Sequence, residues 1–180
     1  EEYKKITSTY EQPQVTKKNT LIQVTTRSFT KEELTWWNQY HQDISDLREN
    51  HIYSIRSLYL NKKRFVLKDT DLRFGYYYEP GYWKIYRPTL GKDDKWFPNN
   101  VPIYMLDGKD NIKNCKTAFI NKSKKDMMVI KKIFPCSVGV QNEGIACFTK
   151  ENVEYFKSNS ERQILSFDSD VPGVKSSQQI

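Results

Sequence analysis

No run of apolar residues in this chain of 180 approaches the roughly 18 to 20 that a helix needs to cross a bilayer, which predicts a soluble protein with no membrane partner. Cysteine and histidine are scarce. Cys115, Cys136 and Cys147 show no Cys-x-x-Cys spacing, and His41 and His51 stand far from them, so the segment carries no zinc motif. An odd cysteine count without a signal peptide predicts ordinary, buried thiols in a reducing, cytoplasmic compartment. The chain opens on Glu1 rather than methionine and stops at Ile180, seven residues after Gly173. That is too short a tail for another buried element, and the expectation is a segment of a longer protein.

What is present is positive charge and aromatic mass. Lys and Arg number 29 against 22 Asp and Glu, a net charge of +7, and 14% of residues are aromatic. A basic folded domain rich in Tyr and Trp suits a polyanion. A solvated basic surface with no partner is the plain alternative.

Residues 1–28 read as a polar arm or linker, with 21–24 as a short strand or docking segment. Thr30-Lys31-Glu32-Glu33 has the form of a capping box, and Leu34, Trp36, Trp37 and Tyr40 follow on a helix. A second short helix is predicted over 44–48. From His51 the period becomes that of strands: 52–60, 64–67, 74–78 and 82–87 read as an antiparallel meander, Glu79-Pro80-Gly81 turning its last hairpin and Pro88 ending it. Residues 29–114 thus read as a basic, aromatic, β-rich subdomain. Lys84, Arg87, Lys95, Trp96 and Arg73 are its candidate nucleic-acid and nucleotide contacts, cations for phosphates and rings for bases. The alternative is a sheet whose rings face the core and whose cations face water.

Residues 115–180 alternate differently. A strand at 117–120 leads to a helix capped by Ser123, with Met127, Ile130 and Ile133 or Phe134 as its buried stripe. A strand at 137–140, a helix at 149–156 and a strand at 163–167 complete a parallel α/β unit, so the loops after Ile120, Val140 and Phe167 open on one edge. Asp168 and Asp170 begin where the last strand's apolar residues stop. Residues two apart in an extended chain point the same way, and Pro172-Gly173 is expected to turn the backbone away behind them. Converging carboxylates suit Mg²⁺. Capping of a following helix, or a surface turn, suits the same Asp-Ser-Asp, and both readings stay open. The fold class predicted is α+β: a helical, antiparallel β-rich basic part followed by a parallel, toprim-like unit.

Taken in order, Trp37 with Tyr40, the hairpin from Tyr76 through Trp83-Lys-Ile-Tyr-Arg-Pro88, Lys95-Trp96, Lys122-Ser-Lys-Lys-Asp126 and Asp168-Ser-Asp170-x-x-Gly173 resemble the catalytic core of DnaG-like primases. The likeness is greatest to phage primases and primase-helicases with a toprim domain, over 29–180. The resemblance implies template-directed joining of NTPs into an RNA primer on single-stranded DNA. It implies Mg²⁺, with Mn²⁺ as the alternative ion, and a replicative helicase in cis or in trans. Asp168 and Asp170 would be metal ligands and Asp126 the supporting acid, while Lys84, Arg87 and Lys95 would grip phosphates; Glu143, at the end of the neighbouring strand, is a further candidate metal ligand on its position alone.

One position departs from that family's pattern. Where toprim enzymes carry Glu-Gly-x-x-Asp, registering on Asp126 puts Lys122 at the glutamate. Exchanging a carboxylate for an ammonium beside a metal is not mild, since unit charges about 4 Å apart interact by roughly 4 kcal/mol at an effective dielectric near 20. Either Lys122 holds a triphosphate while Glu143 supplies the missing carboxylate, or the site is weakened. Three readings follow: a primase core, a toprim nuclease or topoisomerase fragment with an altered metal site, and a non-catalytic single-strand binder.

Overall fold

The computed structural model of the protein describes residues 20–68, 70–91 and 94–179, so most of the expected polar arm lies outside the described residues. The end of that arm is a full strand. β1 (Ile22–Arg27) runs antiparallel along β2 (Ile52–Leu60) and buries Ile22.

α1 (Lys31–Asn38) starts at the capping box legible in the sequence: Glu33 N–H donates to Thr30 Oγ1 and Thr30 N–H donates to Glu33 Oε2. Glu33 is buried, and its other carboxylate oxygen accepts from Arg27 at 3.0 Å and from Ser54 Oγ at 2.9 Å. Burial of that charge is tolerated because it is paired. α2 (Ile44–Glu49) begins with a second reciprocal cap, Asp43 with Asp46.

β3 (Lys63–Phe65), β4 (Phe74–Tyr78) and β5 (Tyr82–Tyr86) complete an antiparallel sheet of order β1-β2-β4-β5, with β3 on β2. Alternation gives the sheet two apolar faces. Phe74, Tyr76 and Tyr86 pack with Trp37 and Leu47 of the helices, and Ile22, Ile55, Leu58 and Ile85 form the cluster on the other side. Trp37 is fully buried, a position where truncation to alanine costs about 3–5 kcal/mol.

The second sheet is parallel. β6 (Cys115–Asn121), β7 (Ser137–Gly139) and β8 (Ser160–Ser166) lie in the order β7-β6-β8, with α3 (Lys124–Lys131) and α4 (Lys150–Asn159) as crossovers. Ile112, Ala118, Ile120, Val138, Val140, Cys147 and Phe156 form its core. An antiparallel sheet followed by a parallel α/β unit is the α+β class predicted. The chain crosses between the free edges of β5 and β7, pairing Asn99 with Lys84 and Asp107 with Gly139.

Four details differ from expectation. β8 begins directly after α4 rather than at 163. α3 stops at Lys131, so Ile133 and Phe134 are exposed, and Met128 rather than Ile130 joins the expected Met127 in the buried positions. Pro172-Gly173 does not turn the chain away but sits in the first turn of α5 (Val171–Gln179), where proline's missing N–H costs nothing. Finally, Cys115 and Cys136 are not free thiols: Cys115 opens β6, Cys136 precedes its parallel neighbour β7, and the two form a disulfide with Cα atoms 6.2 Å apart. That pairing, invisible in the spacing, removes the basis for reading a reducing compartment from cysteine usage; Cys147 is a free, buried thiol. Among the described residues no helix is long and apolar enough to cross a membrane.

Candidate functional site

A cleft of about 600 Å³ opens where the sheets meet, walled on one side by Lys84, Tyr86, Lys95 and Trp96 and on the other by Lys122, Lys125, Asp126 and Glu143. Tyr86 and Trp96 stack, centroids 4.1 Å apart and 19° from coplanar. Lys84 Nζ lies 4.9 Å from the Trp96 ring and Lys95 Nζ 5.7 Å from the Tyr86 ring, within cation–π range. On the other wall Lys125 Nζ lies 4.2 Å from Tyr40.

Lys84 is buried, and its ammonium donates to the Gln141 carbonyl at 2.9 Å. Burial pulls the Lys84 ammonium below the usual lysine range, partly offset by Asp107. Asp107 anchors the floor beneath it. Lys124 Nζ lies 3.1 Å from Asp107 Oδ1, and Tyr78 OH and Gln141 Nε2 donate to Oδ2 at 3.1 Å and 3.4 Å. Lys124 also donates to the Asn50 carbonyl at 3.1 Å. This buried network ties β4, β5, β7's outgoing loop and α3 into one unit. Sequence reasoning missed Asp107, Lys124, Tyr78 and Gln141, because nothing local marks a lone acid in a loop as the partner of a lysine seventeen positions on.

The acidic wall gathers loops from the ends of β6, β7 and β8. Lys122, just past β6, contacts the Asp168 carboxylate and lies 4.0 Å from Glu143 Oε1. Glu143 Oε1 accepts the Asp168 backbone N–H at 3.3 Å. Burial alone would lower the Lys122 ammonium; its hydrogen bond to Asp168 and the charges of Asp126, Asp168 and Glu143 outweigh that and raise it. The Lys122 hydrogen bond holds Asp168 below the usual carboxylate range. Glu143 is pushed up, first by burial and then by Asp168 and Asp170. Ser123 Oγ donates to Asp126 Oδ2 at 2.6 Å and caps α3 through the Asp126 N–H.

The other expected site residues sit elsewhere. Arg87 lies on the face of β5's continuation opposite Lys84, donating to the Asp94 carbonyl at 3.0 Å with its guanidinium over Phe65. Positions three apart on a strand cannot share a face. Arg73 is buried on that same side and donates to the carbonyls of Ile55 and Lys68. Asp170 lies beyond the end of β8 at Ser166, where the period-two argument no longer applies, although its charge is still felt at Glu143. Its Oδ1 accepts the Gly173 N–H at 3.0 Å, capping α5, the alternative the sequence left open.

These arrangements bear on the magnesium the primase resemblance implies. Asp170 caps α5 through one carboxylate oxygen, Asp126 accepts from Ser123 through one of its own, and the cation between Asp168 and Glu143 is the Lys122 ammonium. Among the described residues no three acidic, histidine or cysteine side chains gather closely enough to hold one ion. The set as arranged does not fit a divalent metal.

No protein-family model and no curated protein matches the sequence; solved structures do match the fold. The primase fragment of the bacteriophage T7 primase-helicase protein aligns with a TM-score of 0.56 at 17% identity, over 78% of this chain and 57% of the other. The chain thus spans little more than half of that fragment. A complex of the bacteriophage T7 lagging-strand DNA polymerase with primase domains bound to an RNA/DNA hybrid and dTTP matches with the same score and identity, over 88% of this chain and 73% of the matched one. At that identity the likeness speaks for architecture, and the chain has a phage primase-like fold.

Proposed function

We infer that the chain is the core of a template-directed primase, holding single-stranded DNA and nucleoside triphosphates in the cleft between its sheets and joining the first nucleotides of an RNA primer. The observation that carries this reading is one cleft with a stacked, lysine-flanked aromatic wall facing a wall of lysines and carboxylates. The T7 complex with an RNA/DNA hybrid and dTTP supports the same ligand classes. In the reaction a 3′-hydroxyl oxygen attacks an α-phosphorus, the new O–P bond forms as the bond to the β-phosphate oxygen breaks, and pyrophosphate leaves. Lys95, Lys122 and Lys125 would offset the triphosphate's charge, and the Tyr86–Trp96 pair offers a face for a base. Glu143, whose carboxyl is pushed by burial above the usual carboxylate range and which lines the cleft, is the group suited to take the 3′-hydroxyl proton. Magnesium enters this reading as the counter-ion of the substrate triphosphate.

The test incubates the full-length protein with single-stranded template, NTPs and Mg²⁺. Short labelled RNA is the expected product, lost about equally in Glu143→Gln and Asp168→Asn. Near-normal synthesis in Glu143→Gln removes Glu143 from the reaction. Strand cleavage would point to a nuclease. Salt-sensitive binding without product would point to a non-catalytic binder, a reading favoured by the lysine between the carboxylates.

A further inference from the structure

The loop ends of β6, β7 and β8 bring Asp168 and Glu143 to one edge, and like charges so placed separate unless a cation lies between them. Here that cation belongs to the chain: Lys122 Nζ touches Asp168 and is 4.0 Å from Glu143. The rest of the surroundings is fitted to this arrangement. Glu143 accepts the Asp168 N–H, and a Cβ added at Gly173 would lie 3.1 Å from Glu143 Oε2, so the first turn of α5 closes against the same carboxylate. Asp170, which could have turned inward, caps that helix. The backbone at residue 122 is fixed on both sides, by Asn121, whose amide donates to the carbonyls of Phe119 and Val138, and by Ser123, the cap of α3.

We propose that Lys122 is the resident cation of this acidic edge, occupying the place of a divalent ion between Asp168 and Glu143, so that the chain by itself holds no divalent metal there and its ion selectivity is set by residue 122. A divalent ion entering the same position would have to displace the ammonium and meet its repulsion at ion-pair distance, where a tethered charge remains at high local concentration. Replacing Lys122 removes both obstacles, leaving two carboxylates, and a glutamate there adds a third oxygen donor set of the kind hard cations bind. The inference concerns ion binding by the chain alone and does not rest on the primase reading.

The experiment is a Mn²⁺ titration of the protein without template or nucleotide, following free Mn²⁺ by electron paramagnetic resonance, on wild type, Lys122→Ala and Lys122→Glu. The expected result is one Mn²⁺ bound by Lys122→Glu, on the order of 100-fold more tightly than by wild type, with Lys122→Ala between them. Adding Glu143→Gln to Lys122→Glu should remove that ion. Equal affinity in wild type and both variants, at any level, overturns the proposal. Wild type alone gives a second readout should a variant fail to fold: Mn²⁺ should leave the amide resonances of Asp168 and Gly173 sharp, and selective broadening of those two overturns it.

Discussion

Replacing Asp107 by asparagine is expected to destabilise the protein by about 3–5 kcal/mol, although the residue sits in a loop and the change is nearly isosteric. Its side chain is 2% exposed and that of its partner Lys124 6%, so the lost charge leaves an ammonium buried without a counter-ion. Truncating one member of a buried ion pair costs that much chiefly through the desolvated partner left behind, while removing both charges can be nearly neutral. The asparagine amide can still accept from Tyr78 OH or Gln141 Nε2, as Asp107 does, and those bonds contribute only about 1 kcal/mol each. The ion pair therefore dominates. In urea, followed by tryptophan fluorescence, an m-value near 2 kcal/mol/M turns the loss into a midpoint shift of roughly 2 M. Asp107→Asn with Lys124→Met should lose clearly less than the two single variants summed. A midpoint for Asp107→Asn within about 0.3 M of wild type, or strict additivity in the double variant, refutes the reasoning.

Trp96→Ala should weaken single-stranded DNA binding by about 1–3 kcal/mol with little change in salt dependence. Lys95→Ala should instead reduce the slope of log K against log salt by about 0.7, and anisotropy titrations showing the opposite pattern would dissociate these residues from the template. Asp168 is held below its unfolded pKa by Lys122, so its contribution is complete above the unfolded value near 3.9 and lost as pH falls through the lower folded value. The group is 51% exposed, so the gain stays below about 1 kcal/mol. Comparing urea midpoints of wild type and Lys122→Gln from about pH 6 to about pH 2 should show their difference shrink on acidification, and a constant difference would count against the pair. The Cys115–Cys136 disulfide spans a sequence separation of 21, for which loop entropy gives about 3 kcal/mol; dithiothreitol should lower the urea midpoint accordingly, and an unchanged midpoint would contradict it.

The fold was legible where the information is local or periodic. Thr30-x-x-Glu33, the β runs at 52–60 and 74–78, and the strand–helix alternation after 117 each state their element within a few residues, and each stands in the structure. Face assignment was less secure. Lys84 and Arg87 read together as one basic hairpin, yet their separation of three puts them on opposite faces, and only Lys84 reaches the cleft. The period argument for Asp170 has a related weakness, since the two-residue period holds only while the strand lasts and β8 ends four residues before Asp170, which caps α5. The buried Asp107–Lys124 pair and the Cys115–Cys136 bridge join positions with no local signature. Such contacts are consequences of topology, and one sequence does not display them.

The same distinction explains how a lysine can stand at the centre of an acidic edge without disturbing the fold around it. Residue 122 is placed by its neighbours. Asn121 donates to two strand carbonyls, Ser123 caps α3, and the Ser123 carbonyl lies so close to Gly139 that a Cβ there would meet it at 3.0 Å. None of these contacts involves the side chain of 122. The backbone at 122 is therefore set by contacts that do not depend on the charge of its own side chain. Backbone placement and site chemistry are separable at this position, because the first is carried by residues 121, 123 and 139 and the second by one atom, Lys122 Nζ, whose ion pair adds only a small increment to stability. Resemblance of architecture consequently speaks for the backbone of this edge, while the ion selectivity proposed for it turns on the charge at residue 122.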